Sequence, residues 1–156
     1  FHHIANKYYL VEFDPKILPI SYEKKIFATQ MNNLTPIIAH VERYRNIQKD
    51  INLVKRWIEM GYIIQINCSS IIGDYGPHIQ KTALKLIDKG FCHIIGSDAH
   101  DNLNRNFCLK SALSVIRRKN GSDNKNIVID NLNKLVNGLD LEQMEPKKNI
   151  FSFFKF

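Results

Sequence analysis

Four residues of this chain carry groups that bind divalent metals, and each stands just past a short apolar run. Glu12 follows Leu10-Val11, His40 follows Ile38-Ala39, and Asp98 and His100 follow Ile94-Ile95-Gly96. A carboxylate such as that of Glu12 bridges metal ions, and the imidazole of His40 suits Zn, Mn or Fe. Asp98 and His100 are two residues apart, so at an extended strand end their side chains point the same way and grip one ion or two neighbouring ions. Two arginines follow closely, Arg43 three residues after His40 and Arg105 five after His100. A guanidinium fork matches phosphate oxygens bidentately. Taken singly, a strand-end histidine is more often structural, a glutamate is usually solvated, and an arginine such as Arg43 pairs with Glu42 or Asp50. It is the shared placement of these residues that points to metal-assisted chemistry on a phosphate.

Positioning such a set requires strands that end together. The runs Tyr8-Tyr9-Leu10-Val11, Pro36-Ile37-Ile38-Ala39, Tyr62-Ile63-Ile64-Gln65-Ile66 and Phe91-Cys92-His93-Ile94-Ile95 are rich in β-branched and aromatic residues. They are nearly continuous in apolar character, as strands buried on both faces are, which predicts parallel pairing. Between them lie amphipathic stretches, roughly Tyr22 to Met31, Ile51 to Met60 and Ile79 to Lys89, two of them stopped by Gly61 and Gly90. Further helices are predicted around Leu109 to Lys119 and Asn126 to Val136. The rhythm is α/β. In a parallel β/α barrel the carboxyl ends of the strands gather on one face, where such enzymes build their sites. Glu12, His40, Asn67 and the Ser97 to His100 segment all stand at such ends.

The 156 residues, 44% of them hydrophobic, suffice for one domain with a real core and exclude a disordered or fibrous chain. No run of about eighteen apolar residues spans a bilayer, and Phe1-His2-His3 does not open a signal peptide. Cys68, Cys92 and Cys108 show no CxxC spacing and read as reduced thiols, so a cytoplasmic protein is expected. His2, His3, His78 and His93 lack polar company and read as structural or surface residues, with His93 inside a strand. The formal charge of +7 suits nucleic acid or an anionic substrate such as a phosphoester, and the scattered Lys and Arg do not choose between them. The body is expected to occupy 1–145. The end, 146–156, mixes three lysines with four aromatics, a composition for docking on the body or touching a membrane surface or partner.

The segments Leu10-Val11-Glu12-Phe13, Pro36 to Tyr44 with its His-Val-Glu-Arg-Tyr, Gln65-Ile66-Asn67-Cys68-Ser69-Ser70 and Gly96-Ser97-Asp98-Ala99-His100 resemble, in order and spacing, the PHP-superfamily protein-tyrosine phosphatases of bacterial capsule and exopolysaccharide operons. The resemblance extends to Asp130-Asn131-Leu132. It implies the C-terminal part of a distorted β/α barrel that holds up to three metal ions, often manganese. It also implies hydrolysis of phosphotyrosine on the tail of a partner tyrosine autokinase controlling polysaccharide export, with no nucleic-acid partner. Carried over, Glu12 resembles a bridging carboxylate, His40, Asp98 and His100 the later ligands, and Arg43 and Arg105 the phosphate-binding arginines. Metal-activated water would then be the nucleophile, without a catalytic cysteine.

Two positions depart from the family pattern: Val41 and Leu132 stand where it usually has proline. The family also opens with a His-x-His strand and supplies a further histidine and acid before the segment matching Glu12, and nothing upstream of Glu12 matches them. A chain lacking its N-terminal strands is expected, with four strands where a barrel needs about seven or eight. The rival readings are another PHP phosphoesterase, of histidinol-phosphatase or nuclease type, and a non-catalytic remnant that binds a partner. The His-x-Glu-Arg-Tyr segment argues against the first. His and carboxylate ligands accommodate Mn, Fe and Zn alike, and the residues do not speak to homo-oligomer formation.

Overall fold

The computed structural model describes the backbone of residues 3–16, 21–97 and 102–148, and the side chains of all of these except Ser21 and residues 102–107. Along the chain come β1 (His3–Ile4), β2 (Tyr8–Val11), α1 (Ser21–Gln30), β3 (Thr35–Ile38), a 3₁₀ turn (Val41–Arg43), α2 (Arg45–Lys49), α3 (Asn52–Glu59) and β4 (Ile63–Asn67). Then follow α4 (Cys68–Ile72), α5 (Pro77–Asp88), β5 (Ile94–Gly96), α6 (Asn102–Asn120) and α7 (Ser122–Val136). The strands form one sheet in the order β1-β2-β3-β4-β5. From β2 to β5 every pairing is parallel, with Tyr8 beside Thr35, Ile37 beside Ile63 and Gln65 beside Ile94.

Side chains alternate across the sheet, and both faces are covered. Tyr8, Ile37, Ile63 and Ile94 meet on one face, with Leu10, Leu135 and Leu141 against them. Tyr9, Val11, Ile38, Ile64, Ile66 and Ile95 face the larger core, which also takes in Val54 and Trp57 of α3 and Leu86 of α5. Two-sided burial is why the strands read as unbroken apolar runs. The anticipated helix stops are also present. Gly61 (φ 87°) and Gly90 (φ 75°) adopt the left-handed conformation. Tyr62 and Phe91 donate back to Trp57 and Leu86, and Gly61 and Gly90 to Ile58 and Ile87, so both helices end in the paired bonds of a Schellman motif.

The four expected strands pair in parallel, and the sheet carries one more strand than the sequence announced. His3–Ile4 runs antiparallel to Tyr8–Tyr9, joined by a tight turn in which Ala5 (φ 51°) and Asn6 (φ 55°) both have positive φ. That is the type I′ geometry whose twist matches a hairpin. The fourth predicted strand is shorter than its apolar run, for His93 lies before β5 rather than in it. Its ring nitrogen Nδ1 accepts the Ile64 N–H at 3.1 Å while its own N–H donates to Ile64 O. A side chain thus takes the place of a ladder carbonyl.

Candidate metal and phosphate site

β2 and β3 are parallel neighbours in register to Val11 and Ile38, so the residues that follow them emerge side by side. The last ladder bond here is Ala39 N–H to Val11 O, at 2.9 Å. Beyond it Glu12 is exposed and His40 is buried, and His40 Nε2 lies 3.6 Å from Glu12 Oε1. Two bonds of about 2.0–2.2 Å each span that separation, so an imidazole and a carboxylate so placed fit a shared metal ion.

Tyr44 fixes this spacing. Its hydroxyl donates to Ala39 O at 2.8 Å and accepts the Phe13 N–H at 3.2 Å, linking the residue before His40 to the residue after Glu12. Burial raises its pKa, so the hydroxyl keeps its proton for Ala39. The Tyr44 ring also lies edge-on to His40, with centroids 5.6 Å apart.

His40 itself is left-handed, at φ 39° and ψ 50°, a conformation that costs a non-glycine residue about 1–2 kcal/mol. The chain reverses there into the 3₁₀ turn, which sends the Glu42 side chain inward and sets Arg43 half-buried near the surface. Glu42 Oε1 accepts the Asn67 N–H at 3.1 Å and the Ser70 hydroxyl. Among the described residues its Oε2 has no hydrogen-bond partner, and burial pushes the carboxyl up to about 7. Arg43 lies over the Tyr75 ring, 5.1 Å from its centroid, which holds the guanidinium by a cation–π contact.

Asp98 and His100 lie outside the described residues. β5 ends at Gly96, beside Asn67 of β4, so the strand that leads to them is in place. Arg105 falls on α6, and its side chain lies outside the described ones. Among the described residues no three His, Cys, Asp or Glu side chains gather about one point. Of the sequence-derived set, then, Glu12 and His40 are brought together and Arg43 follows on the adjoining turn. The sequence reading quoted Tyr44, Glu42 and Gln65 within motifs but gave them no role in the site; each acts through a partner at least 25 residues away. The one sign of Gln65 was a polar residue inside an apolar run. The cysteines are buried. Burial pushes the Cys68 thiol up to about 12 and raises that of Cys92 too, so neither favours a thiolate.

Comparison with known proteins places the chain as a whole. Tyrosine-protein phosphatase YwqE of Bacillus subtilis is 30% identical over 152 residues, covering 95% of this chain and 60% of that protein. Tyrosine-protein phosphatase CpsB of Streptococcus pneumoniae is 26% identical over 137 residues, covering 84% of this chain and 56% of its own length. A solved structure from crystallography of YwqE and CpsB, described as unique metal-dependent tyrosine phosphatases, superposes with a TM-score of 0.80 at 29% identity. It covers 91% of this chain and 58% of the solved one. The chain thus spans somewhat under two thirds of the length of these relatives. Residues 3–137 match the family of capsular polysaccharide synthesis proteins CpsB/CapC, and to that family the chain belongs.

Proposed function

We propose that this protein hydrolyses phosphotyrosine with the help of divalent metal, its substrate being the phosphorylated tail of a bacterial tyrosine kinase that controls capsule or exopolysaccharide synthesis. The observation that carries the reading is the facing pair, Glu12 carboxylate and His40 imidazole 3.6 Å apart, at the ends of adjacent parallel strands. The pair stands in a chain of the CpsB/CapC family whose solved relative is described as a metal-dependent tyrosine phosphatase. Glu12 and His40, with Asp98 and His100, are the ligands proposed for manganese, with up to three ions in the complete site. The site lies in a PHP-type barrel of which this chain supplies the C-terminal strands. No helix among the described residues is long and apolar enough to cross a membrane, which suits a reaction in the cytoplasm.

When bound, the metal supplies a hydroxide-like water at neutral pH and neutralises charge on the phosphoryl oxygens. The chain's own residues do the rest. Tyr44 keeps the two ligand-bearing strand ends at fixed spacing. Arg43, held over Tyr75, offers a fork for two phosphoryl oxygens, and Arg105 is proposed as its partner. With the Cys68 and Cys92 thiols disfavoured as thiolates, neither is called on as the nucleophile.

The test is turnover of a phosphotyrosine peptide by the full-length protein with Mn²⁺. Chelation and His40→Ala are each expected to lower it by roughly a hundredfold or more, beyond the ten- to hundredfold typical of outer partners of a metal ligand. Cys68→Ser, Cys92→Ser and Cys108→Ser are each expected to keep it. Turnover that survives chelation, or that disappears in a folded cysteine variant, removes the proposal.

A further inference from the structure

We infer that Gln65 is the positioning residue for His40: its side-chain amide, seated in the space left by Gly96, holds the His40 backbone in the left-handed conformation from which the imidazole faces Glu12. This rests on the reading of His40 as a metal ligand.

Gln65 is only 9% exposed and lies on β4. By the alternation of the strand it shares a face with Ile63, where an isoleucine or valine would serve the sheet equally well. A buried amide is kept only if its polar atoms are used, and here they are. Oε1 accepts the His40 N–H at 2.7 Å, and Nε2 donates to Asn67 Oδ1 at 3.1 Å. The first bond falls where the β2–β3 ladder has stopped, one residue past Ala39 N–H to Val11 O. Without Gln65 the buried His40 amide would lose that acceptor at a residue already strained by its positive φ.

Gly96 supplies the second, independent observation. Its φ is not among the positive ones, so its backbone does not demand glycine. A Cβ at this position would instead lie 2.3 Å from Gln65 Nε2 and 3.2 Å from its Cδ. The missing side chain is what lets the amide reach across. One amide thereby touches the ends of β3, β4 and β5, with His40 at the first and Asp98 and His100 following the last.

The experiment is titration of the purified protein with Zn²⁺ alone, read by calorimetry and by the ¹⁵N shifts of the His40 imidazole. Wild type, His40→Ala, Gln65→Ala, Gly96→Ala and the Gln65→Ala/Gly96→Ala pair are compared, with a thermal melt for each. Gln65→Ala and Gly96→Ala are each expected to weaken zinc binding by roughly ten- to a hundredfold. The double variant should be no weaker than the worse single, since both act through one amide. Gly96→Ala should melt below wild type but still fold, because its new Cβ meets only the flexible end of a side chain and shifts the amide without deleting it. It therefore decides the matter if Gln65→Ala fails to fold. Zinc binding within about twofold of wild type in Gly96→Ala, with His40→Ala defective, overturns the role of Gln65 and leaves the metal reading intact. Undiminished binding in His40→Ala overturns both.

Discussion

His93 is a buried histidine whose ring serves the backbone. Nδ1 must stay unprotonated to accept the Ile64 N–H, and burial alone lowers its pKa from 6.5 to about 4. The folded protein therefore holds His93 neutral where the unfolded chain already binds a proton. The sign follows: stability from this group is complete above pH 6.5 and is lost as pH falls toward 4. At about 1.4 kcal/mol per pKa unit the loss is at most roughly 3.5 kcal/mol. Glu42 runs the opposite way over an overlapping range, because burial raises its carboxyl to about 7, so a single acid titration would mix the two. Comparing urea unfolding of wild type and His93→Gln cancels Glu42. His93→Gln is expected to be the less stable at pH 7, with the gap closing as pH drops from 6.5 to 4. A gap that does not change with pH would falsify the neutral-ring account.

Elements end where backbone geometry forces them to, and two glycines separate the reasons. Gly90 is left-handed, and a Cβ there would meet Met144 O at 2.6 Å and the Glu145 carbonyl carbon at 2.9 Å, both backbone atoms. Gly121 also has a positive φ, at φ 95° and ψ 165° in the extended region that only glycine adopts readily, with nothing within 4 Å of its Cβ position. Gly121→Ala is thus expected to cost only the conformational strain, about 1–3 kcal/mol. Gly90→Ala adds overpacking against the backbone, for a total of roughly 3 kcal/mol or more. Chemical denaturation of both variants checks the order, and equal costs would remove the close-approach argument. Gly90 was legible in the sequence as a helix stop, but its contact with a segment more than fifty residues later was not. The same division runs through the molecule. Strands β2 to β5 were legible because burial on both faces leaves unbroken apolar runs, and Glu12 and His40 because they stand where those runs end. The β1 hairpin was not, because Ala5 hides a positive φ that glycine would have announced. The early start of α6 was missed too, since Asn102 to Asn106 shows no apolar period. Gln65, Tyr44 and Glu42 were silent because their partners are set by the register of strands and turns, which residue spacing does not reveal.

At the scale of the whole molecule, the segment after α7 returns across the sheet without helix or strand and is held by side chains acting as backbone partners. Asn131, with no exposed surface, donates to His93 O at 2.8 Å and Glu142 O at 2.6 Å and accepts the Glu142 N–H at 2.9 Å. Met144 is buried, and its N–H reaches Cys92 O at 3.0 Å. At the other edge the Tyr8 hydroxyl donates to Leu139 O and Lys7 pairs with Asp140. The returning segment thus touches both β2, which leads to Glu12, and the entry to β5, which leads to Asp98 and His100. If it belongs to the same cooperative unit as the sheet, removing its central tie lowers the stability of the whole. Asn131→Ala leaves one buried backbone group, His93 O, and two part-buried ones of Glu142 short of a partner, and is expected to cost roughly 1–3 kcal/mol in a single two-state transition. Asn131→Asp keeps the acceptor for Glu142 N–H but sets carboxylate oxygen against two carbonyls, so at neutral pH it should be no better than alanine. Urea unfolding followed by both tryptophan fluorescence and circular dichroism measures this, with Trp57 in the larger core as the reporter. If the Asn131→Ala midpoint equals that of wild type, or the two probes separate, the segment is an independent appendage. Its contacts then do nothing to hold the site-bearing strands.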